Sequence, residues 1–213
     1  MEATKIIIIR HGETTWNKMG RCQGQLDSPL TETGIAQAKA LAERMADTEF
    51  DVLYSSDLGR TRDTAKFIAQ KTNQTINFDA RLRERHFGVR EGLTLKEFEA
   101  QHPQAYAAFK SEDPDYPIGE SMTEFYHRCV TCLEDLAERH FGKVVAIVTH
   151  GGVITSLFKY TLLLPITTPR LYKGWNTSVN IVSYYHSKEK WLLETWGDVQ
   201  HLEDYNVEET FNF

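Results

Sequence analysis

The chain has 213 residues, a formal net charge of −6 and 41% hydrophobic content, enough for one well-packed domain over 1–213. An acidic balance argues against general nucleic-acid binding, which draws its affinity from a basic surface, yet it allows a few convergent cations to hold a small anion. No stretch approaches the roughly 18–20 consecutive apolar residues of a bilayer span, the start MEATK leads into too short an apolar run for a signal segment, and three cysteines make no disulfide framework, so a cytoplasmic protein without membrane contact is expected.

Lys5–Ile9 predicts a strand buried on both faces, the continuous β-branched kind found in parallel sheets. After a polar, glycine-containing loop, Thr31 can cap a helix in which Ile35, Ala38, Leu41, Ala42 and Met45 recur at helical spacing. Asp51–Tyr54 predicts a second strand, with Ser55, Ser56 and Asp57 as caps for a helix to about Lys71. Ile76–Phe78 is a brief strand, Leu82–Gly92 is irregular, and 93–111 forms one or two helices interrupted at His102-Pro103. Pro114–Gly119 is a loop, and Ser121 with Glu124 is a capping box for a helix to about Arg139.

Lys143–Val148 predicts a third strong strand, Val153–Leu163 a helix stopped by Pro165, and Ser178–Tyr185 with Trp191–Trp196 a hairpin. Strands alternating with helices give an α/β fold: a three-layer sandwich around a mostly parallel sheet, with an antiparallel edge strand and an insertion at about 93–120 over one end.

Two strand ends repeat one device. Ile6–Ile9 runs into Arg10-His11-Gly12, and Val144–Val148 into Thr149-His150-Gly151-Gly152. Ligands of open α/β sheets bind beyond the carboxyl ends of the strands. Neighbouring strands lie about 5 Å apart, so adjacency would bring the two imidazoles together, and the glycines would let backbone approach a ligand closely. Taken singly, each histidine can simply end its strand. Arg60, in the first turn of a helix that follows a strand end, suits a phosphate, though alone it reads better as a surface partner of Asp57 or Asp63. Glu84, between Arg83 and Arg85, reads alone as an ion-pair member.

Together these residues resemble the histidine phosphatases, the phosphoglycerate mutase-like superfamily, in its first branch. The resemblance rests on Arg10-His11-Gly12-Glu13-Thr14 with Trp16-Asn17, on Asp27-Ser28-Pro29-Leu30-Thr31 with Gly34 and Gln37, and on Ser56-Asp57-Leu58 with Arg60, Thr64 and Ala65. It continues through Glu84 with Gly88, Glu91 and Gly92, then Gly119-Glu120-Ser121 and Thr149-His150-Gly151-Gly152, in the family's order over residues 5 to about 182. The resemblance implies His11 as the nucleophile that takes up a phosphoryl group, with Arg10, Arg60 and His150 around its oxygens. It implies Glu84 as general acid and base, Asn17, Gln23, Gly24, Arg85 and Gly151 on the phosphate and substrate side, and neither metal nor cofactor. Physically, a nucleophilic imidazole must be neutral, and Arg10 and Arg60 disfavour a further positive charge.

Within the family, Thr14-Thr15-Trp16 looks like the mutase-type branch rather than the acid phosphatases, and Glu84-Arg85-His86-Phe87-Gly88 resembles the cofactor-dependent mutase motif. Phe87 stands where mutases usually place tyrosine, Leu95 where they place lysine, and residues 96–120 hold no arginine. A mutase needs extra cations for the second anionic end of its intermediate. The expected activity is therefore hydrolysis of a small phosphorylated metabolite, with mutase chemistry as the alternative. A binding module for a phosphorylated partner and a metallohydrolase built on His11, His150 and Glu84 are further alternatives, the latter opposed by the arginines. Cys129 and Cys132 read as a core-facing helical pair rather than a zinc or redox site. The acidic, aromatic stretch Asp198–Phe213 can dock on the body, form homodimer contacts or stay disordered.

Overall fold

The computed structural model describes residues 3–111 and 118–203. Most of the loop expected at Pro114–Gly119, and the end of the acidic C-terminal stretch, lie outside those residues. Among the described residues six strands form one sheet: β1 (Ala3–Arg10), β2 (Val52–Ser55), β3 (Ile76–Phe78), β4 (Val144–Thr149), β5 (Val179–Tyr185) and β6 (Lys190–Asp198), in the order β3-β2-β4-β1-β5-β6. β1, β2, β3 and β4 pair in parallel, while antiparallel pairing is confined to β1–β5 and β5–β6. The helices are α1 (Thr15–Lys18), α2 (Glu32–Ala46), α3 (Gly59–Thr72), α4 (Leu95–Gln101), α5 (Pro103–Lys110), α6 (Met122–Arg139) and α7 (Gly151–Thr161).

The isoleucine run explains the three layers. Successive strand side chains point to opposite faces, so Ile6 and Ile8 join Val145, Ile147, Leu133 of α6 and Leu157 of α7 in one core cluster. Ile7 and Ile9 join Ala146, Val148, Leu41 of α2 and Ile68 of α3 in the other. Each fully buried isoleucine stabilises the fold by about 1.5–3 kcal/mol relative to an exposed one. A strand with apolar residues at both parities therefore has to be sandwiched, and all four are buried.

Two local expectations are corrected. Ile35 is 37% exposed, because the inward face of α2 is made by Gly34, Gln37, Ala38, Leu41, Ala42 and Met45. None of Ser55, Ser56 and Asp57 caps α3. Its N-cap is Leu58, which supplies no side-chain bond, and the carboxylate of the sequence-distant Asp27 accepts from the amides of Gly59 (2.7 Å) and Arg60 (3.3 Å). The break at His102-Pro103 is present, with proline opening α5 where its missing N–H costs nothing. Cys129 and Cys132 are buried in the α6 core.

Candidate active site

The sheet order places β1 beside β4, with Arg10 paired to Thr149 in register. The two residues that follow the strand ends, His11 and His150, consequently meet with ring centroids 5.4 Å apart, both buried. His11 Nδ1 lies 2.8 Å from its neighbour's carbonyl, Gly12 O. A carbonyl can only accept, so Nδ1 carries the proton and Nε2 keeps a lone pair. Burial, then the charges of Arg60 and Arg10, hold the His11 pKa well below its usual value, so the ring is neutral at neutral pH. The same happens at His150, by burial first and then through Arg60, His11 and Arg10. His150 Nε2 lies 2.9 Å from Ser56 Oγ, while its Nδ1 is buried with no protein partner among the described residues.

Arg60 is 1% exposed. Its Nη1 donates to Leu26 O (2.7 Å) and Asp27 Oδ1 (2.8 Å), its Nη2 to Gly24 O (2.7 Å), and its buried Nε has no partner among the described residues. The loop 23–27 therefore grips the guanidinium. Arg10 is tied through Nη1 to the carbonyl of Gly174. Asn17 closes the capping box of α1, where its side-chain oxygen accepts from Thr14 N (3.2 Å) and Thr14 Oγ1 (3.0 Å).

Glu84 arrives from the irregular stretch. Backbone carbonyls in 81–84 are fixed from two sides: Thr149 Oγ1 donates to Leu82 O (2.8 Å), and Arg128 Nη1 of α6 donates to Arg81 O and Arg83 O. The carboxylate then accepts from Arg85 N and from Gly152 N, both at 2.9 Å. A Cβ on Gly152 would sit 2.1 Å from Glu84 Oε1, so this glycine makes room for the acid rather than for a ligand. Gly12 is corrected likewise: its Cβ would stand 2.6 Å from Gly34 O, so it accommodates the start of α2.

Of the predicted residues, His11, Glu84, Arg10, Arg60, Asn17, Gln23, Gly24, Arg85 and Gly151 all line one cavity of ≈ 350 Å³, with His150 fully buried against His11 just behind its wall. His86 is exposed and is not in that wall. The sequence reading also missed lining residues. Arg21, Arg90, Lys159 and Arg170 add cations toward the outer part, and Glu84 is the one carboxylate among the described residues that line the cavity. The expected shortage of outer cations is therefore corrected: none comes from 96–120, but α7 and neighbouring loops supply them. Lys159 was detectable as a lysine on the helix that His150-Gly151 opens, eight residues on. Arg128 acts through the carbonyls of Arg81 and Arg83, and Asp27 through the Arg60 guanidinium and the first amides of α3, roles with no local signal.

The family model for the histidine phosphatase superfamily (branch 1) matches residues 6–199. The chain belongs to this superfamily. A protein of Arabidopsis thaliana, "Metal-independent phosphoserine phosphatase", is 43% identical over 208 residues, covering 94% of this chain and 84% of that protein. "Phosphoglycerate mutase-like protein 4" of the same plant is 40% identical over 209 residues, covering 96% and 89%. Phosphoserine phosphatase from Entamoeba histolytica, solved in complex with 3-phosphoglyceric acid, superimposes with a TM-score of 0.82 at 30% identity, covering 93% of this chain and 99% of that one. This histidine phosphatase therefore resembles in sequence proteins named a phosphoserine phosphatase and phosphoglycerate mutase-like, and shares its fold with a phosphoserine phosphatase.

Proposed function

We propose that the chain is a cytoplasmic, single-domain phosphatase that hydrolyses a small phosphorylated metabolite through a phosphohistidine at His11 Nε2. The observation that carries this is the His11 Nδ1 bond to Gly12 O, which leaves Nε2 unprotonated in a cavity flanked by Arg10, Arg60 and Glu84. Nε2 attacks phosphorus, the N–P bond forms as the P–O bond to the alcohol breaks, and the Glu84 carboxyl gives its proton to the departing oxygen. Arg10, Arg60 Nε and His150 Nδ1 meet the equatorial oxygens, where charge accumulates. Water then enters, gives its proton to Glu84, and attacks phosphorus as the N–P bond breaks. Asn17, Gln23, Gly24, Arg85 and Gly151 hold substrate in line, and proton transfer by Glu84 is worth about 10²- to 10⁴-fold.

Hydrolysis is supported by the two relatives named phosphoserine phosphatase, whose name and bound acid are of phosphomonoesters that also carry a carboxylate. Mutase chemistry is the second reading, favoured by the outer cations Arg90 and Lys159 and by the plant mutase-like relative. Incubation with 3-phosphoglycerate, with and without its bisphosphate, separates them: phosphate release is expected to exceed isomer formation, and the reverse result makes the chain a mutase. Quenching during turnover should trap an acid-labile, base-stable phosphoryl adduct that His11→Ala abolishes. An acid-stable adduct, or full activity in that variant, overturns the proposed mechanism.

A further inference from the structure

Among the described residues, two cations in the cavity wall have no counter-charge. Lys159 is 8% exposed, and its ammonium donates to the carbonyl of Ile166, one of three donors used. Burial alone lowers its pKa, with no carboxylate offsetting the shift. Arg90 has its guanidinium 4.4 Å from the Phe109 ring centroid and 5.4 Å from that of Phe87, and its Nε is buried with no hydrogen-bond partner among the described residues. Among the described residues neither forms a salt bridge, although both line the same cavity as His11 and Glu84. By contrast Arg21, in the same wall, is satisfied by a bidentate contact with Glu97. Burying an unpaired charge is costly, and a chain of net charge −6 has carboxylates to spare.

Their placement gives a length scale. Gly151, Gly152, Thr155, Ser156 and Lys159 face the cavity along α7, so one helix wall runs from the phosphate end to the lysine. Lys159 Cα lies about 12 Å along the axis from Gly151, at 1.5 Å per residue, within which a phosphoryl group, a short carbon chain and a lysine side chain fit end to end.

We propose that Lys159 and Arg90 form a subsite for a second anionic group of the substrate, a carboxylate a few bonds from the phosphoryl ester. This rests on the phosphatase reading for its substrate but not for its binding. A purely structural lysine, fastening the Ile166 carbonyl after the helix end, is the competing role, and it predicts no discrimination between substrates.

The matched probes are 3-phosphoglycerate and glycerol 3-phosphate, which differ by a carboxylate in place of a hydroxymethyl group. Calorimetric binding in a His11→Ala background, where turnover does not consume ligand, should favour 3-phosphoglycerate at least tenfold. Adding Lys159→Met or Arg90→Met should shrink that preference by tenfold or more, and Lys159→Arg should restore most of it. In enzyme with His11 intact the same variants should lower the ratio of kcat/KM values, mainly through KM. Equal binding of the two probes, a preference unmoved by both Met variants, or an equal loss for both probes in folded variants overturns the subsite. Preferential binding by an enzyme that releases no phosphate from either probe would instead overturn the phosphatase reading and leave the subsite standing.

Discussion

The carboxylate of Asp27 binds Arg60 twice, taking its side-chain Nη1 at 2.8 Å and its backbone amide at 3.3 Å, while also accepting from Gly59 N at 2.7 Å. One residue thus caps α3, which has no side-chain cap of its own, and aims the guanidinium that faces His11. The helix start and the proposed phosphate cradle are consequently one assembly.

Asp27→Ala should therefore act on both. Loss of the cap is expected to cost about 1–2 kcal/mol in urea denaturation, and release of Arg60 should lower kcat/KM toward an aryl phosphate by about tenfold or more. Asp27→Asn, with a single acceptor oxygen, can serve Gly59 N or Arg60 Nη1 but not both, so it should fall between. Undiminished kcat/KM in an Asp27→Ala variant that is less stable would reduce the residue to a cap.

Two glycines make a contrasting pair. A Cβ at Gly152 would meet the Glu84 carboxylate at 2.1 Å, whereas one at Gly34 would meet the backbone oxygen of Glu13 at 2.0 Å. A side-chain tip can swing away, but backbone cannot. Gly152→Ala should lower kcat by about 10²-fold or more, the scale of general-acid catalysis, with a small change in thermal midpoint. Gly34→Ala should lower the thermal midpoint by many degrees, since strain or overpacking of this kind costs about 1–3 kcal/mol or more. Equal kcat in Gly152→Ala and the parent protein would mean that Glu84 does not act from the position seen.

These residues also mark how far the sequence could be read. Ile6–Ile9 and Val144–Val148 declared the central strands, because burial on both faces leaves a continuous β-branched run, and the strand-end histidines followed directly. What stayed hidden depends on tertiary approach: an aspartate capping a helix from 32 residues away, a glycine spaced for Glu84, and Arg128 bonding the carbonyls of Arg81 and Arg83. None of these alters a periodicity or a local cap. Ser55, Ser56 and Asp57 misled because they offered a good local cap that the fold uses elsewhere. Ser56 Oγ faces His150 Nε2, and Asp57 takes Arg83 at 2.6 Å.

The Ser56 contact gives a further expectation. Ser56 Oγ accepts weakly from Leu58 N at 3.4 Å and stands 2.9 Å from His150 Nε2. A hydroxyl donating to Nε2 leaves the His150 proton on Nδ1, the buried atom without a protein partner. Ser56→Ala should remove that tautomer preference and lower kcat/KM by about fivefold to tenfold, the equivalent of a hydrogen bond worth about 1 kcal/mol. Ser56→Thr, if tolerated in the buried site, should recover part of it. Retained activity in Ser56→Ala would show that the tautomer is set another way.

Acid should destabilise this fold before its carboxylates titrate. Burial depresses the pKa values of His11 and His150 well below the usual 6.5, and it takes His201 down to about 4. In the unfolded chain all three titrate near 6.5. From about pH 6.5 down to the depressed folded values, the unfolded state therefore binds more protons than the native one. Stability then rises with pH and falls on acidification. The contribution is fully present above about pH 6.5, and the loss levels off below the folded values. The fully buried pair should each contribute no more than about 1.4 kcal/mol per pH unit. Urea denaturation at intervals from pH 7 to pH 5 keeps this window clear of Asp57 and Asp198, whose depressed values place their own losses below about pH 4. A His11→Gln variant should lower the slope by about one proton. By the same reasoning, the acid limb of kcat/KM should lie below pH 6.5, because His11 is already neutral there. A stability that climbs on acidification, or a slope unchanged in His11→Gln, would mean that His11 is not buried in its neutral form.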